Sequence, residues 1–311
     1  MDKLYGVLQT VLPVLLMIAA GVLLKKKKIV NKEGIAGLKK FIFYITIPVM
    51  AFKAFYNATY GTDIIVITIV MFAACIILLC LGFVFKRVTR SPMHTTPFLM
   101  TGFEAGMLGF ALYPLLFGAD KLTYFATVDL GQELFVFIIF MTLLLSRDSK
   151  HGVVLGALKR MVTTPLIVSV FAGVIIGATG LGNLIYTSAA GETVQYVLEF
   201  ISAPTAAIIL FVVGFELELK GLNFKSVISL ILTRVIFVGA ICLALLSVFS
   251  AFGIVNAYIR WAVILLFILP PPMVIPILLD NEKENAYVSA TLSAYTILSL
   301  IAFAIMSYSV A

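Results

Sequence analysis

Long apolar runs separated by short polar connections fill almost the whole chain. Ten runs read as membrane spans, at about 5–24, 38–56, 63–85, 95–117, 122–145, 162–180, 194–215, 226–251, 259–279 and 286–308. About 20 apolar residues in a helix cross the hydrocarbon of a bilayer. The pattern therefore predicts an all-α polytopic membrane protein with ten transmembrane helices. The runs at 63–85 and 226–251 are uniformly apolar, whereas the fourth and ninth are interrupted by glycine or proline.

Composition agrees with that reading. Hydrophobic residues make up 62% of the 311 residues and charged residues 12%. A soluble domain carries roughly twice that charged fraction. The spans leave no sizeable soluble domain. The first span ends at Lys25–Lys28 without a small-residue cleavage site, so it is expected to stay as a helix rather than act as a cleaved signal peptide. Cys75, Cys80 and Cys242 fall inside spans in no metal or redox spacing, and read as small packing residues.

The net charge of +7 gains its meaning from placement. Lys25–Lys28, Lys32, Lys39 and Lys40 follow span one, and Lys86, Arg87 and Arg90 follow span three. Arg147, Lys150, Lys159 and Arg160 follow span five, Lys220 and Lys225 follow span seven, and Lys283 follows span nine. Only Lys3, Lys121 and Arg260 fall on the other side. Basic residues mark cytoplasmic loops, so both termini are expected to be extracytoplasmic. The same residues would meet an anionic inner leaflet, which makes the bilayer their partner and not a nucleic acid.

An internal repeat divides the chain into residues 1–150 and 151–311. Pro13, Ala20, Gly21 and Val22 of span one recur as Pro165, Ala172, Gly173 and Val174 of span six, at a constant offset of 152. Ile45, Thr46, Ile47 and Pro48 of span two are echoed by Ile201, Ser202, Ala203 and Pro204 of span seven. Five spans per half is an odd number, so the second half would enter from the opposite face as an inverted repeat. Proline-interrupted spans in matching places of two halves are a sign of a secondary transporter. Two unrelated proline kinks are the alternative.

Spans four and nine carry the candidate chemistry. Gly102, Gly106 and Gly109 surround Glu104, and each glycine weakens a helix by about 1 kcal/mol relative to alanine. That favours an unwound point, although Gly102 and Gly106 also have the spacing of a helix-packing motif. Pro270, Pro271 and Pro272, followed by Pro276, cannot continue an α-helix. Two half-helices meeting there would offer free N–H groups to an anion and free carbonyls to a cation. Glu104 sits at mid-span, where a charged carboxylate costs roughly 2.5 kcal/mol or more, so it reads as a proton carrier, cation ligand or substrate contact. A protonated, structural glutamate is the alternative. Asp129 and Glu133 lie one turn apart on one face of span five, either with Glu104 in an ion-coupling site or solvated nearer the outer mouth. Arg234 lies inside span eight and reads as the partner of one of these acids or as an attractor of anionic cargo. Glu199 falls near the outer third of span seven, Lys53 is free to snorkel from the end of span two, and Glu216 and Glu218 read as solvated.

Ten spans with termini outside, prolines in spans two and seven, and broken spans four and nine resemble the auxin efflux carrier family, the PIN-like branch of the bile acid/auxin transporter superfamily. The most specific stretches are Thr101–Gly118 and Leu269–Pro276. Many members have an asparagine–glycine pattern and a proline at the span-four crossover; Glu104 and Gly106 stand there here, with Pro114 later. The short 146–161 connection resembles prokaryotic members, which implies the inner, cytoplasmic membrane. The resemblance implies two inverted five-helix repeats in which broken helices four and nine cross. Spans 1, 2, 6 and 7 form a scaffold and spans 3–5 and 8–10 a crossover unit. It implies alternating access for a small carboxylate, a homodimer, and a substrate site at the crossing. The residues matching that site are Thr46, Pro48, Glu104, Ala105, Gly106, Ser202, Pro204, Pro270, Pro271 and Pro272, with Glu104, Asp129 and Glu133 as ion-coupling residues.

The excess of acids over bases inside the spans calls for neutralisation by H+ or Na+, or by a cationic or zwitterionic cargo, with no other cofactor or metal expected. Two other classes compete. One is a ligand-binding sensor or channel-like protein without uphill transport. The other is an intramembrane enzyme using Glu104 with Asp129. His94 and His151 both lie in or beside basic loops, and no enzyme motif accompanies the acids.

Overall fold

The computed structural model describes residues 2–56, 62–145, 163–182, 187–217, 224–279 and 281–310. Arg147, Lys150, His151, Lys159, Arg160, Glu218 and Lys220 lie outside the described residues, as does the 146–161 connection. Among the described residues the chain is helical and forms no strand. Eight helical segments are long and apolar enough to cross a membrane, and Pro165–Ala178 and Ala257–Ile268 are shorter apolar helices. Many large apolar side chains point outward from these helices, Leu16 and Phe200 among them, as a lipid-facing surface requires.

The prolines act differently from one another. Pro13 lies inside the continuous helix Asp2–Lys26, whereas Pro165 opens the helix Pro165–Ala178, so this pair does not interrupt matching spans. Pro13 is outward-facing and removes one backbone donor without breaking the helix, while Pro165 occupies a first-turn position where its missing N–H costs nothing. In span two, the helix Lys32–Phe41 passes through a wide π turn at Ile42–Thr46 into Ile47–Tyr56, which carries Pro48. In span seven, Ala189–Ser202 stops and Thr205–Glu216 starts after Pro204.

Span one packs along the Thr205–Glu216 helix of span seven, and Ile47–Tyr56 of span two packs along Pro165–Ala178 of span six. Glycine permits both close approaches. A Cβ on Gly21 would stand 2.2 Å from the carbonyl oxygen of Phe211, and one on Gly173 would stand 2.9 Å from that of Phe52. The repeat-matched glycines thus do the same job in the two pairs.

The remaining spans gather around the breaks. Thr62–Thr89 of span three packs on Leu122–Phe135 of span five, which also meets Ala257–Ile268 of span nine. Both interrupted spans are broken where the sequence predicts. Span four has a 3-10 turn at Phe98–Met100, extended chain through Thr101, and a π turn at Ala105–Gly109 leading into Phe110–Phe117. Span nine has the helix Ala257–Ile268, irregular chain from Leu269, and a 3-10 turn at Ile275–Leu278. Each broken span therefore has one true half-helix and one single turn, not two half-helices. Pro92 and Pro97 before the first break, and Pro276 after the second, leave too few uninterrupted residues to nucleate another helix.

Candidate functional site at the crossing of spans four and nine

An unwound segment inside a membrane protein must satisfy its own backbone groups. Here several of the freed groups have named partners. The N–H of Glu104 donates to the carbonyl of Pro270 at 2.8 Å, joining the two breaks through the backbone. The Glu104 side chain completes that junction. Its Oε1 accepts the N–H of Met107 at 3.2 Å, as an N-cap of the span-four helix, and its Oε2 accepts the N–H of Met273 at 2.5 Å. Glu104 is buried, so these two donors replace water on both carboxylate oxygens.

The other strands of the break are held from neighbouring helices. Arg234 donates through Nη1 to the carbonyl of Leu99 at 2.9 Å and through Nη2 to that of Gly102 at 2.8 Å. Its guanidinium lies between the rings of Phe103 and Tyr295, at 5.2 and 5.0 Å. No ion pair joins it to an acid among the described residues, and it is fully enclosed. It is a fork that holds carbonyls. Gln132 of span five accepts the N–H of Phe103 at 3.1 Å and donates to Asp129 at 2.9 Å. Ser299 of span ten donates to the carbonyl of Ile268, the last residue of the span-nine half-helix.

Gly102 is essential to this geometry. Its φ of +68° belongs to the left-handed region, and a Cβ there would meet Pro272 Cγ at 2.9 Å. Gly106 differs, since a Cβ on it would meet nothing within 4 Å. Gly109 serves packing, with Phe125 occupying the place a Cβ would take.

The structure brings together Glu104, Ala105, Gly106 and the Pro270–Pro272 run. Asp129 is buried and Glu133 half-buried, one turn apart on the helix Leu122–Phe135. The segment Ile42–Thr46 and the segment Ala105–Gly109 both touch the Thr205–Glu216 helix. The Thr46 hydroxyl is buried without a hydrogen-bond partner, and Pro48 is buried beyond it. Ser202 and Pro204 stand apart. Ser202 donates to the carbonyl of Leu198 in its own helix, and Pro204 is exposed. Lys53 and Glu199 do not go separately to the surface but pair at 2.9 Å between spans two and seven. Glu216 pairs with Lys39 while keeping part of its side chain exposed.

Sequence reasoning missed Gln132 and Ser299. Polar residues inside spans were the available signal, but only the fold shows that they face the breaks. It also missed a cavity of about 440 Å³ opening on the lysine-bearing side. One wall carries Lys32, Ile35, Ala36 and Lys39, another Phe215 and Glu216, and Met273 lies at the crossing end. The cavity thus lies one backbone hydrogen bond from Glu104, whose carboxylate also feels the charges of Lys39 and Glu216.

A family model described as membrane transport protein matches residues 6–155, the stretch holding spans one to five. It supports the resemblance to auxin efflux carriers there. Comparison with curated proteins gives no match. The family match and the apolar helices together indicate a multi-pass membrane protein with a role in transport.

Proposed function

We propose that this protein is a secondary transporter that moves a small organic carboxylate across the cytoplasmic membrane by alternating access, coupled to H+ or Na+. Spans one, two, six and seven form the scaffold, and spans three to five and eight to ten form the crossover unit that moves against it. The paired packing of span one on seven and of span two on six, each closed by a repeat-matched glycine, supports that division and the inverted repeat behind it. The lysine distribution supports extracytoplasmic termini and makes the cavity an inward-open one.

One observation carries the reading. Glu104 ties the two breaks together through its own backbone and through both carboxylate oxygens, and its partner Met273 lines a cavity that lies between scaffold and crossover residues. A group so placed links cargo or ion occupancy to the relative position of two broken helices. Asp129 and Glu133 extend the site into span five, where Gln132 passes any change at Asp129 to the Phe103 backbone beside Glu104.

The test is uptake into proteoliposomes with imposed proton or sodium gradients, using radiolabelled small carboxylates. Wild-type protein should accumulate a carboxylate in response to one gradient, and Glu104→Gln should abolish that accumulation while remaining folded by gel filtration. Gradient-driven uptake by Glu104→Gln at the wild-type rate sinks the role given to Glu104.

A further inference from the structure

We infer that Lys39 is the anion-capture residue of the inward cavity, and that Glu216 occupies the place of an incoming carboxylate while the cavity is empty. The inference deepens the carboxylate-transport reading and rests on it.

Lys32, Ile35, Ala36 and Lys39 fall at helical spacing on one face of Lys32–Phe41, and all four line the cavity. Lys32 sits at the outer end of that helix. Lys39 lies two turns further along, about 10 Å deeper at 1.5 Å per residue. Beyond Lys39 the same span leads to Thr46 and Pro48. The cavity wall is therefore a graded basic path into the membrane.

The partner of Lys39 is unusual. Glu216 ends the helix Thr205–Glu216, where the helix dipole disfavours a carboxylate. Lys25 donates to the carbonyl of the next residue, Leu217, at 3.2 Å, so a cation already serves that helix end. Capping therefore does not require Lys39. What Lys39 gains is a carboxylate partner inside a cavity wide enough for a small organic acid. Phe215, Leu292 and Met273 give the lining an apolar part that suits the body of such an acid, while Lys25, Lys32, Ser289, Ser293 and Thr296 add polar groups around it. Lys39 and Glu216 belong to spans two and seven, while Met273 and Leu292 belong to spans nine and ten. An acid on Lys39 would touch both units, and exchange of one carboxylate for another keeps the lysine neutralised throughout.

Calorimetric titration of purified full-length protein with benzoate, with malonate and, as cationic control, with choline tests the assignment. At least one carboxylate should bind the wild type. Lys39→Gln should weaken that binding by about tenfold or more, the loss of a charge-assisted contact. Lys39→Arg should retain it. Glu216→Gln should tighten binding several-fold, because the internal competitor is gone. A purely structural ion pair gives the opposite sign, with Glu216→Gln weakening binding or leaving it unchanged, and that result overturns the assignment. So does wild-type affinity in folded Lys39→Gln, or no binding of either carboxylate to the wild type. Uptake separates this from the broader reading: carboxylate transport that survives Lys39→Gln removes the capture role alone, whereas wild-type uptake of choline and of neither acid removes the carboxylate reading itself.

Discussion

Oε2 of Glu104 accepts the backbone N–H of Met273 at 2.5 Å, so one side chain of span four closes the break in span nine. Oε1 meanwhile caps the span-four helix at Met107. Glutamine fills the same space but has a single acceptor oxygen. Its NH2 group must then face one of the two N–H donors, leaving that donor buried and unpaired. The expected cost is about 1–3 kcal/mol. Thermal melting of purified Glu104→Gln should show a lowered midpoint beside its transport defect, and an unchanged midpoint would separate Glu104 from the junction.

Arg234 supports the same segment from span eight. Its two Nη atoms reach two carbonyls three residues apart, and two aromatic rings cover its faces. Lysine keeps the charge but is not a planar fork, and cannot serve both carbonyls and both rings. Arg234→Lys should lose roughly 2–4 kcal/mol from one unpaired carbonyl and the lost stacking. The check is detergent melting of the variant against wild type. A wild-type midpoint would show that the fork does not hold the break.

The breaks themselves were legible in the sequence because their causes are local. Three consecutive prolines remove three backbone donors, and a glycine beside an acid marks a turn no helix favours. The half-helices were less legible, since Pro92, Pro97 and Pro276 had to be weighed against segment lengths too short to nucleate. The carbonyl partners of Arg234 were not legible, because charge alone suggests an acid or an anion, whereas carbonyls become free only once span four unwinds next to it. Ser202 and Pro204 match Thr46 and Pro48 in pattern, yet Thr46 is buried and Pro204 exposed, because spans two and seven meet different neighbours.

Gly102 and Gly106 should respond in opposite ways to alanine. At Gly102 the left-handed backbone and the contact with Pro272 both oppose a methyl group, for about 1–3 kcal/mol of destabilisation. At Gly106 the methyl enters open space. Gly106→Ala should therefore melt at or above the wild-type temperature. If substrate binds at the crossing, the same methyl should raise the KM for uptake. Equal melting points for the two variants would contradict the geometry at Gly102.

The paired glycines of spans one and six allow a test of the scaffold. A methyl on Gly21 would fall on the backbone oxygen of Phe211 at 2.2 Å, and one on Gly173 on that of Phe52 at 2.9 Å. Backbone cannot yield as a side-chain end can, so both helix pairs would have to separate. Overpacking of this kind costs typically 1–3 kcal/mol, and the shorter distance makes Gly21→Ala the more damaging. The methyl on Gly173 meets Phe52 and Phe55, away from the cavity lining, so folded Gly173→Ala should melt earlier but take up carboxylate with a wild-type KM, whereas Gly21→Ala also presses on Phe215 of the cavity wall. Melting curves measure the first expectation and proteoliposome kinetics the second. A changed KM in Gly173→Ala with unchanged melting would mean that the pair of spans two and six moves during transport, and would take those spans out of the role of a rigid frame.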